Sequence, residues 1–204
     1  MPVIICGTGG HARVLADSLI KSDTQILGFI TADKNQKDSI FGIEVLGDDS
    51  YLKNFSNEEI LLINGIGSVP GEDRRLRLAK KMRRKGFSFA SVVHISAIIG
   101  EGVKLEEGVQ IMAGTVIQNN VSIGVDTIIN TGALIDHDCK IGRDCHIAPG
   151  AVFSGGVIVK NGVHFGTGTK VIQNISVGEG SIIAAGSIIF RDVAAHKKII
   201  QKLN

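Results

Sequence analysis

The chain has 204 residues, 26 of them glycine, with three prolines, one tyrosine, no tryptophan and a formal net charge of +2. Glycine is nearly twice its usual share of roughly 7%, while apolar residues reach 44% and aromatics only 4%. That balance excludes disorder, the absence of a three-residue glycine period excludes collagen, and the aromatic shortage argues against a nucleic-acid binder that works by stacking.

No apolar run approaches the roughly 18 residues of a membrane span, so no membrane insertion is expected. The opening segment MPVIICGTGGHARV lacks a basic leader and a small-residue cleavage site, so no signal peptide is expected. Cys6, Cys139 and Cys145 form no C-x-x-C pair. They read as reduced thiols in a cytoplasmic protein, without a disulfide framework or zinc site.

Val3–Cys6 reads as a buried strand, followed by the turn Gly7-Thr8-Gly9-Gly10-His11-Ala12 and an amphipathic helix from Val14 to Lys21. Strands are expected near Gln25–Ile30, Gly42–Leu46, Ile60–Asn64 and Phe87–Val93, with a helix near Glu72–Lys85. Strand alternating with helix implies a parallel sheet in a small Rossmann-like α/β domain, residues 1–92. The turn satisfies a dinucleotide fingerprint, with Asp33 near the place of a ribose-binding acid. Glycines there let a backbone approach a pyrophosphate at a helix N-terminus. So short a domain holds about one mononucleotide half, which favours a nucleotide-linked ligand over NAD. The helix near Glu72–Lys85 carries eight cations between Arg74 and Lys85. Leu76, Ala79 and Met82 give it a buried side, and the cations read as a solvated face.

From Val93 to Ile189 every sixth residue is apolar, seventeen positions without an interruption. A smaller side chain follows most of them four residues later. Neither strand alternation nor a helical repeat gives period six. A coil of three six-residue faces does, with glycine or asparagine at corners where positive φ is needed. The pattern resembles the hexapeptide-repeat family, which implies an all-β left-handed parallel β-helix over 93–194 and a C-terminal tail, 195–204. The joined halves are similar to bacterial sugar acetyltransferases. Those include sialic acid O-acetyltransferases and UDP- or GDP-4-amino-sugar N-acetyltransferases of the bacillosamine and perosamine type.

That resemblance implies a homotrimer using acetyl-CoA, with no metal, and a nucleotide sugar held by Gly9, Gly10, His11, Asp33 and Gly67. Ser68 stands where the family has asparagine. In Ile135-Asp136-His137-Asp138, histidine is the natural base near neutral pH, and a neighbouring carboxylate can orient it. The family motif makes His137 the base and Asp138 its orienter. His146, Gly155, Thr167 and Ala185 would meet CoA, with His146 working beside His137 of another chain. His164, eighteen residues after His146, should stack on it one strand spacing away, as a surface ladder in preference to a local ligand feature. The segment from Val193 to Ile200 departs from the family's G-x-P-A-K loop, and its Lys197 and Lys198 could meet phosphates. The expected reaction is acetylation of a sugar 4-amine in surface-glycan synthesis. O-acetylation of a sialic-acid-like sugar, a non-catalytic nucleotide-binding trimer and an NAD-linked enzyme are the alternatives.

Overall fold

The computed structural model describes residues 1–36 and 38–200 and divides into two compact units, Met1–Val92 and Val93–Asn204. The first unit contains β1 (Val3–Cys6), α1 (Gly10–Lys21), β2 (Ile26–Ile30), β3 (Val45–Gly47), β4 (Leu61–Asn64) and α2 (Arg74–Arg84). Its sheet is parallel throughout, in the order β3-β2-β1-β4. Central β1 is buried along its whole length, which is why its sequence is unbroken apolar rather than alternating.

Helix α1 begins four residues before the expected Val14. It buries Ala12, Leu15, Ala16, Ser18 and Leu19, whereas Val14 and Ile20 are exposed. The small Ala12 and Ala16 share the face of Leu15 and Leu19 at helical spacing, so they, and not the larger Val14 and Ile20, meet the sheet. The expected strand at Phe87–Val93 is not continuous. Phe89 makes an isolated bridge to Leu62, and a two-residue strand follows at Val92–Val93.

The second unit is a left-handed parallel β-helix. Three sheets of seven, six and five two-residue strands make about six turns of a three-sided coil. We call them the first, second and third faces, in the order in which Val92–Val93, Ile98–Ile99 and Lys104–Leu105 open them. Ile111, Ile117, Ile123, Ile129, Ile135, Ile141 and Ile147 fill the axis, with Phe153 and Phe165 stacked edge to face at 4.7 Å. The smaller stack includes Cys139 and Cys145, whose buried thiols donate to the carbonyls of Ser154 and Lys160. Every sixth residue from Gly102 to Gly186 has positive φ, including Asn120, Asp126, Asp138, Asp144 and Asn174. These left-handed positions turn each corner, and asparagine and aspartate tolerate them after glycine.

The coil runs past its expected end at 194. Lys198–Ile199 pairs with Ile182–Ile183, and Val193 bridges Val177. Elsewhere partners are eighteen residues apart; here they are sixteen. Two residues are missing from the last corner, so the six-step lands on Ala195 while Val193 and Ile199 take the inner places. Asp192 Oδ1 accepts the Ser176 amide at 2.8 Å across the contraction, and His196 takes the left-handed corner at φ 58°. Residues 201–204 of the expected tail lie outside the described residues.

Candidate active site

His137 and Asp138 sit at the corner between strand Leu134–Ile135 of the second face and Lys140–Ile141 of the third. Asp138 supplies the left-handed residue, at φ 59°, and its amide donates to Asn119 O in the preceding coil. The turn brings its carboxylate onto the neighbouring ring: Asp138 Oδ2 lies 2.8 Å from His137 Nδ1. Asp136 Oδ1 accepts the His137 amide at 2.9 Å. The His137 pKa is raised, first by the hydrogen bond to Asp138 and next by the charge of Asp136. With Nδ1–H turned to the carboxylate, Nε2 keeps its lone pair and is the basic atom. One coil on, Gly155 leaves room for this ring. A Cβ there would come within 2.6 Å of His137 Cε1 and Nε2.

His146 lies elsewhere, on the first face, and is buried. It pairs in register with His164, and their rings meet edge to face at 4.7 Å. His146 Nε2 is 3.2 Å from Asn130 Nδ2, and its Nδ1 is 3.4 Å from His164 Nδ1. Desolvation holds the His164 pKa below its usual value. Thr167 and Ala185 occupy successive coils of the corner between the first and second faces, where Gly186 N–H donates to Thr167 O at 2.8 Å. Thus one chain gathers His137, Asp138 and Gly155 at one corner, Thr167 and Ala185 at another, and His146 with His164 on a face.

In the first unit, a cavity of about 310 Å³ opens at the carboxyl ends of the strands. Such ends are the usual ligand position in an open parallel sheet. Gly7, Asp33, Ile66, Arg74 and Lys81 are among the residues lining it. Of the five expected acceptor-site residues, only Asp33 lines this cavity. Its Oδ1 accepts the Asn35 amide at 3.0 Å. Gly9 is the N-cap of α1, and Gly10 and His11 open that helix. Gly67 faces His11, whose Cβ would lie 3.5 Å from a Cβ added at Gly67. Gly65 packs against Ala12 with no room for a side chain, so the fingerprint's Ala12 serves close helix–strand packing.

The basic helix is tied to its own unit. Arg75 donates to the carbonyls of Asn64 and Ile66, and Arg83 lies 4.9 Å over the Phe89 ring. Lys81 and Lys85 both bond Asp49, which holds that carboxyl below its usual range. The sequence did not single out Asn130, which lies beside His146, or the places of Arg74 and Lys81 on the cavity wall. Nothing in the repeat pattern sets Asn130 apart, and the two cations were read as part of a solvated face. Among the described residues no group of three or more His, Cys, Asp or Glu is placed to hold a metal. No helix among them is long and apolar enough to cross a membrane.

Residues 2–82 match the family described as the PglD N-terminal domain. Perosamine N-acetyltransferase from Caulobacter crescentus, solved as a His-to-Asn variant with CoA and GDP-perosamine, is 35% identical with a TM-score of 0.88, over 97% of this chain and 92% of that chain. The acetyltransferase domain of PglB from Neisseria gonorrhoeae, solved with acetyl coenzyme A, is 26% identical with a TM-score of 0.86, over 97% and 94%. WeeI from Acinetobacter baumannii shares the fold at 20% identity and a TM-score of 0.84, over 98% and 97%. None of the curated proteins matches.

Proposed function

The chain belongs to the hexapeptide-repeat sugar N-acetyltransferases, and from that premise we propose that it acetylates the 4-amino group of a nucleotide-linked amino sugar, with His137 as general base. It is an acetyl-CoA-dependent enzyme acting on an amino sugar. The observation that carries the finer reading is the 2.8 Å contact between His137 Nδ1 and Asp138 Oδ2. In the reaction, His137 Nε2 takes a proton from the sugar amine as its nitrogen attacks the thioester carbonyl. The tetrahedral intermediate collapses, the carbon–sulfur bond breaks, and the proton is returned to the departing CoA thiolate. Asp138 orients the ring and stabilises its protonated form.

The nucleotide sugar occupies the first unit, with its base or ribose beside Asp33 and its diphosphate near Arg74, Lys81 and the Gly9-Gly10-His11 turn. Asp33, Arg74 and Lys81, which line the cavity at the strand ends, support this for their part, whereas the turn residues lie outside its lining. CoA follows the β-helix past Gly155, Thr167 and Ala185, with His146 at the acetyl end. His137 and His146 stand on different sides of the coil, which supports a site completed by a second chain. The second face also displays Ile98, Leu134 and Ile188 outward and exposed, which supports a homotrimer packed on that face. Surface-glycan synthesis in the cytoplasm is the setting this chemistry suits.

The test is thiol release from acetyl-CoA with GDP- and UDP-linked 4-amino-6-deoxy sugars as acceptors and a sialic acid as the comparison. The wild-type chain should acetylate an amino sugar, and His137→Ala should lose on the order of 10²–10⁴ in kcat, the usual worth of a general base. Release with sialic acid alone would overturn the amine reading. Undiminished release in His137→Ala would remove that residue as base.

A further inference from the structure

His146 is engaged at both ring nitrogens by side chains of its own chain, and the partners fix a direction. The Thr131 amide donates to Asn130 Oδ1 at 2.8 Å, and its hydroxyl reaches the same oxygen at 3.3 Å. A backbone N–H only donates, so the amide oxygen of Asn130 must face Thr131 and its NH₂ must face His146. The NH₂ also only donates. His146 Nε2, 3.2 Å away, is therefore the acceptor and carries no proton. A charged His146 would set two donors against each other, so the ring is neutral with its proton on Nδ1. That Nδ1–H points at His164 Nδ1, 3.4 Å away, which must then accept. The proton of His164 is left on Nε2. Burial favours neutral His164 as well.

We propose that Asn130, His146 and His164 form a one-way hydrogen-bond chain across neighbouring coils, in which His164 is a positioning residue for the acyl-donor site. By accepting from His146 it holds that ring as the Nδ1–H tautomer and fixes its orientation on the first face. The polarity starts at a backbone amide, so it is set by the fold and does not wait for a ligand. His164 thereby differs from an ordinary member of a surface histidine ladder, whose tautomer would be indifferent. The kinetic consequence rests on the acetyl-transfer reading; the proton positions do not.

The experiment is long-range ¹⁵N–¹H correlation on uniformly labelled, full-length protein near neutral pH, followed by kinetics. His146 should show a protonated Nδ1 and a bare Nε2, and His164 the reverse. Asn130→Ala should abolish the His146 preference. A doubly protonated His146, the opposite tautomers, or metal-bound nitrogen shifts reversed by a chelator would each overturn the proposal. In kinetics, His164→Ala should raise KM for acetyl-CoA about three- to tenfold, as for one lost hydrogen bond, with a smaller change in kcat. His164→Asn places an oxygen near the former Nδ1 and should recover most of that loss. Equal KM increases in both variants, at matched thermal midpoints, would overturn it too. If the wild-type chain transfers no acetyl group, the functional reading fails while the nitrogen spectra still decide this one.

Discussion

Asp138 meets two demands with one side chain. The corner needs a residue that tolerates φ 59°, and the ring before it needs a carboxylate within hydrogen-bond reach. Aspartate meets both, whereas alanine would strain the corner and confuse any test of the charge. Asp138→Asn keeps the corner and removes only the charge. His137 has a raised pKa because of Asp138 and then Asp136, so the base is lost as pH falls through a value above the ordinary 6.5. With the charge removed that value drops. The acid limb of kcat/KM in Asp138→Asn should therefore move to lower pH while kcat falls by about tenfold or more. An acid limb that stays in place would show that the limb belongs to the substrate amine or another group. The adjacent pair was legible in the sequence because its members are neighbours and the turn type is local. The chain from Asn130 to His164 was only half legible. The eighteen-residue spacing stacks the two histidines, but no pattern says which way an asparagine amide points.

At the scale of the coil, hydroxyls in the small stack divide into those that bond and one that does not. Thr127 Oγ1 donates to Gly142 O at 2.7 Å and accepts the buried Cys145 amide at 3.0 Å. Ser187 Oγ is buried without a partner among the described residues. Thr127→Val strands an amide and a carbonyl and should cost about 1–3 kcal/mol, whereas Ser187→Ala removes an unsatisfied group and should be neutral or slightly stabilising. Urea unfolding of both variants checks the order, and a larger loss at Ser187 would contradict the hydrogen-bond assignment. Period six was readable because each turn repeats one inward aliphatic and one left-handed corner. It stopped being readable after Ile189, where two missing residues move Val193 and Ile199 off the count. A strict period carries no signal for a contraction that Asp192 repairs with a side-chain oxygen. Helix α1 was misplaced for a related reason: large apolar residues were counted, and the small Ala12 and Ala16 that allow close packing were not.

The whole molecule separates its chemistry. Within one chain the corner of His137 and the face of His146 lie on different sides of the β-helix, so a second chain must complete the site if both act on one thioester. The exposed Leu134, 42% accessible, lies on the strand leading to His137 and belongs to the proposed packing face. Leu134→Glu should convert a trimer to monomer in sedimentation and abolish transfer, while the folded spectrum of the chain is kept. A monomeric wild-type chain with full activity would remove the interchain site.

The repeated corners have one more consequence. Each turn offers the same backbone seat at a fixed height, so the β-helix is a ruler with graduations of about 4.8 Å. Asn119 and Asn120 occupy the seat one mark before His137 and Asp138, with Asn120 already at φ 59°. A histidine and an aspartate placed there would find the same backbone seat, but would also need glycine at position 137, because such a ring rests where Gly155 carries no Cβ for His137. Along the coils that keep the eighteen-residue spacing, a corner side chain can therefore be raised or lowered only in whole steps, and the contracted last coil is where that scale ends.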